Sequence, residues 1–171
     1  KKLHKKFGAE ITNFDLSKSL NNKYFKEILK NFNEYGILLF RNQNLSIKNQ
    51  VIFGRKFGKV LIHAVNQNHA KEHPEIYVLS NLNNKGQPSG KHPDQGSLYW
   101  HTDGSWRKNT GQATIMVADI IPSKGGETYF CCMENAYDSL DDSNKQKIIN
   151  LFAYHNLDFS RNRRHGHDPL S

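Results

Sequence analysis

The chain has 171 residues, 36% of them apolar and 11% aromatic, and carries a formal charge of +8. That length bounds one domain with a sizeable core, and the composition excludes a disordered chain. The charge admits nucleic acid as a partner, but its densest groups, residues 1–6 and 161–164, lack the interleaved aromatics of a base-stacking platform; attraction for small anions is expected instead. No apolar run approaches the roughly 20 residues of a membrane span, and Lys1-Lys2 leads into no signal-peptide core. The adjacent Cys131 and Cys132 are too close in sequence for an ordinary bridge and read as reduced thiols, which points to the cytoplasm.

Residues 1–20 read as an irregular lead-in with a short strand at Glu10-Ile11. Asn21 or Asn22 can cap a helix whose Phe25, Ile28, Leu29 and Phe32 recur at helical spacing, with Gly36 as its stop. Ile37-Leu38-Leu39-Phe40 is a continuous apolar run, the pattern of a buried strand. Ser46 can cap a second helix with Ile47, Val51 and Phe57 on one face, closed by Gly58. Residues 59–74 hold His63, His69 and His73 at a spacing that fits no standard metal site, and they read as a polar loop.

A strand is expected over 75–80, followed by a long loop over 81–96 with the composition of a lid or binding loop. Residues 113–121 read as a β-branched strand, 122–126 as a turn, and 127–132 as the hairpin partner. Helices are expected near 135–140 and 143–151, then a strand over 152–160 and a polar tail. Early helices followed by short antiparallel strands make the chain α+β, with strands gathered around a site.

The segment that carries chemistry is Tyr99-Trp100-His101-Thr102-Asp103-Gly104-Ser105-Trp106. On extended backbone, His101 and Asp103 share a face and form a two-ligand claw for a divalent metal. A second His would complete the 2-His-1-carboxylate face of non-haem Fe(II) oxygenases. Trp100 is expected in the core, and Tyr99, on the ligand face, at the pocket wall.

Five segments, in order, now resemble one family, the taurine dioxygenase and 2,4-dichlorophenoxyacetate dioxygenase (TauD/TfdA) enzymes. They are Tyr35-Gly36-Ile37-Leu38-Leu39-Phe40-Arg41, Phe57-Gly58-Lys59, Trp100-His101-Thr102-Asp103-Gly104-Ser105, Ile121-Pro122-Ser123-Lys124-Gly125-Gly126-Glu127-Thr128 and Ala136-Tyr137-Asp138-Ser139-Leu140. The combination of the Trp100-His101-Thr102-Asp103 segment and the Pro122 to Thr128 segment with its Gly-Gly-Glu-Thr is the specific part. The resemblance implies a double-stranded β-helix, or jelly-roll, with flanking helices. It implies Fe(II) held by His101 and Asp103, with 2-oxoglutarate and O2 as cosubstrates and Thr128 bonding a carboxylate of 2-oxoglutarate. It further implies hydroxylation of a small anionic organic substrate, coupled to decarboxylation of 2-oxoglutarate to succinate and CO2. Homo-oligomers also follow from the resemblance; a nucleic-acid or membrane partner does not.

Where the family has its third ligand, a later His, and its cosubstrate-binding Arg, this sequence has none. His155, His165 and His167 fall where the family has a strand and a loop. The expectation is a single domain over residues 1–171, the N-terminal and central portion of a longer catalytic domain, with the third His beyond Ser171. For substrate, His63 matches a sulfonate-contacting position, while Asn66 and Ser97 depart from the residues that taurine-specific members use. Glu127 leans toward the aryloxyalkanoate side. The rival reading is a cupin-type metal protein, which would need neither Thr128 nor the Gly-Gly turn.

Overall fold

Asn21 opens the longest element: its side chain accepts the Tyr24 N–H at 3.0 Å, and helix α1 runs over Asn22–Tyr35. A cap of this kind is worth about 1 kcal/mol because it satisfies a backbone donor that the helix itself leaves unpaired. Gly36 ends the helix, its N–H donating to the Phe32 carbonyl. The computed structural model describes residues 1–63, 68–90 and 98–156. These fall into two compact units: residues 1–56 with 116–152, and residues 57–115 with the chain from 153 onward.

In the first unit, strand β1 (Ala9–Glu10) pairs in parallel with strand β2 (Leu38–Leu39), Ala9 opposite Leu38 and Glu10 opposite Leu39. Arg41 Nε reaches Glu10 Oε1 at 3.2 Å. Gln43 ties the lead-in to this edge, accepting the Leu16 N–H at 2.7 Å and donating to the Phe14 carbonyl at 2.8 Å. Helix α2 (Ile47–Arg55) starts from Ser46, whose hydroxyl accepts the Asn49 N–H. Ala9, Ile28, Val51 and Phe53 form the buried core, and edge-to-face contacts link Phe14 to Tyr24, Phe14 to Phe40, and Phe40 to Phe53. Burying an Ile, Val or Phe side chain contributes about 1.5–3 kcal/mol each. The stripe expected on α2 is therefore partly corrected: Phe53 goes inside with Val51, and Ile47 stays exposed.

Later in this unit come helices α3 (Met133–Asp138) and α4 (Asp142–Ile148), the second capped by Asp141, which accepts the Asn144 N–H at 2.7 Å. The strands expected over 113–121 and 127–132 are not in a ladder among the described residues. Their alternation survives: Ala113, Ile115 and Val117 are half-buried, Thr114, Met116 and Ala118 exposed. Alternation specifies a pleat, but a ladder also needs a second backbone in register. The turn between them keeps its glycines for a steric reason. Gly126 has φ +78°, and a Cβ there would stand 3.1 Å from Pro122 Cγ.

In the second unit, strand β3 (His69–Ala70) pairs antiparallel with strand β4 (His73–Tyr77), so the expected 59–74 loop is shorter than its composition suggests. Residues 81–89 close as a small turn, Asn83 N–H to the Gln87 carbonyl and Ser89 N–H to the Asn81 carbonyl. Among the described residues the chain thus holds four helices and four short strands, an α+β content, and no helix is long and apolar enough to cross a membrane.

Candidate metal centre

Residues 98–106 form no regular strand; His101 and Thr102 are irregular, and Asp103 enters a turn over residues 103–106. The turn is closed by the Arg107 N–H donating to the Gly104 carbonyl at 2.9 Å. Gly104 holds φ +66°, a conformation that a Cβ penalises, and so swings the chain away directly after Asp103. The two side chains nonetheless meet as expected: His101 Nε2 lies 3.4 Å from Asp103 Oδ1.

The other ring nitrogen explains the orientation. His101 Nδ1 is 2.7 Å from the Tyr99 carbonyl, two residues back. A carbonyl only accepts, so Nδ1 carries the proton and Nε2 is left as the nitrogen with metal-binding capacity. In the tautomer with the proton on Nδ1, Nε2 and the Asp103 carboxylate aim lone pairs at each other, an arrangement that a cation or a second proton between them relieves. Their 3.4 Å separation suits two donors on one ion, whose bonds to His nitrogen and carboxylate oxygen are about 2.0–2.2 Å. The side chains are 47% and 65% exposed, so as a bare ion pair they contribute little to stability. The donor set and its convergence fit a divalent metal.

Sequence reasoning did not find Thr114. Its hydroxyl donates to Asp103 Oδ2 at 3.1 Å, on the carboxylate oxygen that does not face His101. His155 Nδ1 and Ser105 Oγ, 3.0 Å apart, hydrogen-bond beside the same turn. Among the described residues no third His, Cys, Asp or Glu completes a cluster with the pair. His165 and His167 lie outside the described residues.

The remaining expected residues are placed unevenly. Tyr99 contributes its carbonyl, while its side chain is exposed. Trp100, expected in the core, is exposed as well: its neighbours in sequence are committed to the His101–Asp103 geometry, and no described packing covers the indole. The His63 ring packs against Tyr77 at a 45° tilt with centroids 4.2 Å apart, and the Tyr77 hydroxyl accepts from Asn68 Nδ2 at 2.8 Å. The His63 carbonyl accepts from His69 Nε2 at 3.0 Å. Asn66 and Ser97 lie outside the described residues. Thr128 follows the Gly125-Gly126 turn on an exposed segment, in the unit that holds the core rather than the one holding His101 and Asp103.

Comparison with known proteins bears on this pair of side chains. The family model described as taurine catabolism dioxygenase TauD, TfdA family matches residues 1–170. An alpha-ketoglutarate-dependent 2,4-dichlorophenoxyacetate dioxygenase of Cupriavidus pinatubonensis is 27% identical, the match covering 99% of this chain and 65% of that protein. Pentalenolactone F synthase of Streptomyces avermitilis is 31% identical over 88% of this chain and 50% of its own length. The crystal structure of AAD-2 in complex with Mn(II) and N-oxalylglycine superimposes with a TM-score of 0.75 and 26% identity, covering 95% of this chain and 58% of that one. The chain therefore spans between half and two thirds of the length of these relatives.

Proposed function

Because the chain belongs to the TauD, TfdA family, we propose that the whole protein is a dioxygenase using Fe(II), 2-oxoglutarate and O2. The observation that carries the reading is the convergence of His101 Nε2 and Asp103 Oδ1, with the Nδ1 proton committed to the Tyr99 carbonyl. His101 and Asp103 hold the metal, and a further His of the full-length protein supplies the third ligand, leaving open positions for cosubstrate and O2. Fe(II) there supplies oxygen activation, coupled to conversion of 2-oxoglutarate to succinate and CO2 and to insertion of one oxygen atom into a substrate C–H bond. The N-oxalylglycine named in the AAD-2 complex differs from 2-oxoglutarate only by an NH in place of a CH2, which favours this cosubstrate.

The chain's own residues bind and orient. Thr128 donates its hydroxyl to a carboxylate of 2-oxoglutarate, which otherwise loses water contacts without replacement. His63, its ring set by Tyr77, contacts the anionic group of the substrate, with Asn66, Ser97 and Tyr99 contributing to the same pocket. The substrate is a small organic anion, either a sulfonate or an aryloxyalkanoate-like carboxylate. The 2,4-dichlorophenoxyacetate relative and Glu127 favour the second. Residues 1–171 form the N-terminal and central portion of a catalytic domain whose jelly-roll is completed by strands pairing with 113–121 and 127–132. The domain acts in the cytoplasm, as the reduced thiols suggest, and as a homo-oligomer, as in the family.

The test is anaerobic titration of the full-length Fe(II) protein with 2-oxoglutarate. A visible charge-transfer band that His101→Ala abolishes is expected. Tight metal binding with no such band would replace the dioxygenase reading with a cupin-type one. Succinate formation, scored across sulfonates and aryloxyacetates, then assigns the substrate class.

A further inference from the structure

We infer that Thr114 is a positioning residue for the metal site, acting through Asp103. The inference rests on the reading that His101 and Asp103 hold the metal. An Asp carboxylate turns easily about its terminal torsion, whose preference is broad and two-fold. Asp103 is largely solvent-exposed, so packing alone does not fix which oxygen faces His101. Thr114 does: its hydroxyl donates to Oδ2 at 3.1 Å, and Oδ1 is the oxygen left 3.4 Å from His101 Nε2.

Two consequences follow for the ligand set. With Oδ2 occupied by a donor, Asp103 offers one oxygen rather than two, which keeps its hold on the metal monodentate and leaves other positions free. The ordering entropy of the carboxylate is also paid before the metal arrives, and preorganisation of this kind appears directly in affinity. Thr suits the task because branching at Cβ stiffens its χ1. The Tyr99 carbonyl does the matching service for His101 by holding the Nδ1 proton. The two donors are thus each fixed by a partner outside the ligand set, as is common where protein side chains hold metals.

The experiment is Mn(II) titration of the full-length protein, read as loss of the free-ion paramagnetic resonance signal, for wild type, Thr114→Val, Thr114→Ser and His101→Ala. Thr114→Val removes the hydroxyl at nearly constant shape and at an exposed position. It is expected to weaken Mn(II) binding about tenfold, the low end of what loss of an outer partner costs. Thr114→Ser, which keeps the hydroxyl, is expected to restore most of that affinity. Melting temperatures of the metal-free proteins are measured alongside, and Thr114→Ala replaces the Val variant if the latter melts early. Unchanged affinity in the variant lacking the hydroxyl overturns the inference, and so does a Ser variant as weak as the Val one. Failure of the underlying reading looks different: wild type and His101→Ala would then bind Mn(II) equally or not at all.

Discussion

The proton on His101 Nδ1 is held by a backbone atom, and that bond decides what the other ring nitrogen can do. With the proton on Nδ1, Nε2 turns a lone pair toward Asp103 Oδ1, and the two side chains offer two donors to one cation. Asp103→Asn keeps the shape and removes the charge, so one of the two ligands becomes a weak neutral donor. We predict a larger loss of Mn(II) affinity than the roughly 10–100-fold typical of an outer partner, measured by the same titration. An Asn variant that binds as tightly as wild type would remove Asp103 from the ligand set. The His-x-Asp pair was legible in the sequence because its two residues are only two positions apart, so local backbone alone can bring their side chains to 3.4 Å. Thr114 was not, because its contact spans eleven positions and depends on where the fold brings the next segment. Nor was the part played by Tyr99, whose carbonyl is common to every residue type.

Elements built on local chemistry behave as the sequence says. Asn21 and Ser46 were readable as caps because a short polar side chain before an apolar helical stripe has a backbone N–H within reach. Asn21→Ala and Ser46→Ala should each cost about 1 kcal/mol, measured by urea unfolding, with additive effects in the double variant because the caps serve different helices. The turn at Asp15 is a second local device. Ser17 donates both its hydroxyl, at 2.6 Å, and its N–H, at 2.9 Å, to Asp15 Oδ1. The hydroxyl bond foremost holds the Asp15 carboxyl below its usual range. A carboxyl whose folded pKa is depressed stabilises the fold above its unfolded value, near 3.9, and that contribution is lost as pH falls toward the folded value. Asp15→Ala should therefore flatten the acid limb of the stability profile below about pH 4 and change its slope little at neutral pH. The strands over 113–121 and 127–132 mark where local reading stops: the alternation lies in the sequence, whereas the ladder requires partners from elsewhere.

Across the whole molecule the apolar surface is unevenly distributed. Ala9, Ile28, Val51 and Phe53 are buried, all within residues 1–56. Met116, Ile120, Ile121, Tyr129, Phe130, Leu151 and Phe152 are exposed, the last at 98%. Exposed apolar runs of this kind are the surface that a neighbouring strand would bury. The matched relatives are longer than this chain, which covers 65% of one and 50% of another. In the jelly-roll proposed above, such segments would be interior strands of a sheet. Amide hydrogen exchange on the full-length protein separates the alternatives, because protection reports the free energy of opening segment by segment. If partner strands complete the sheet, amides of alternate residues over 113–121 and 127–132 exchange as slowly as those of helix α1. If no ladder forms, they exchange at the rate of the 81–89 turn. The second outcome would remove the rigid support on which Thr114 depends to aim the Asp103 carboxylate.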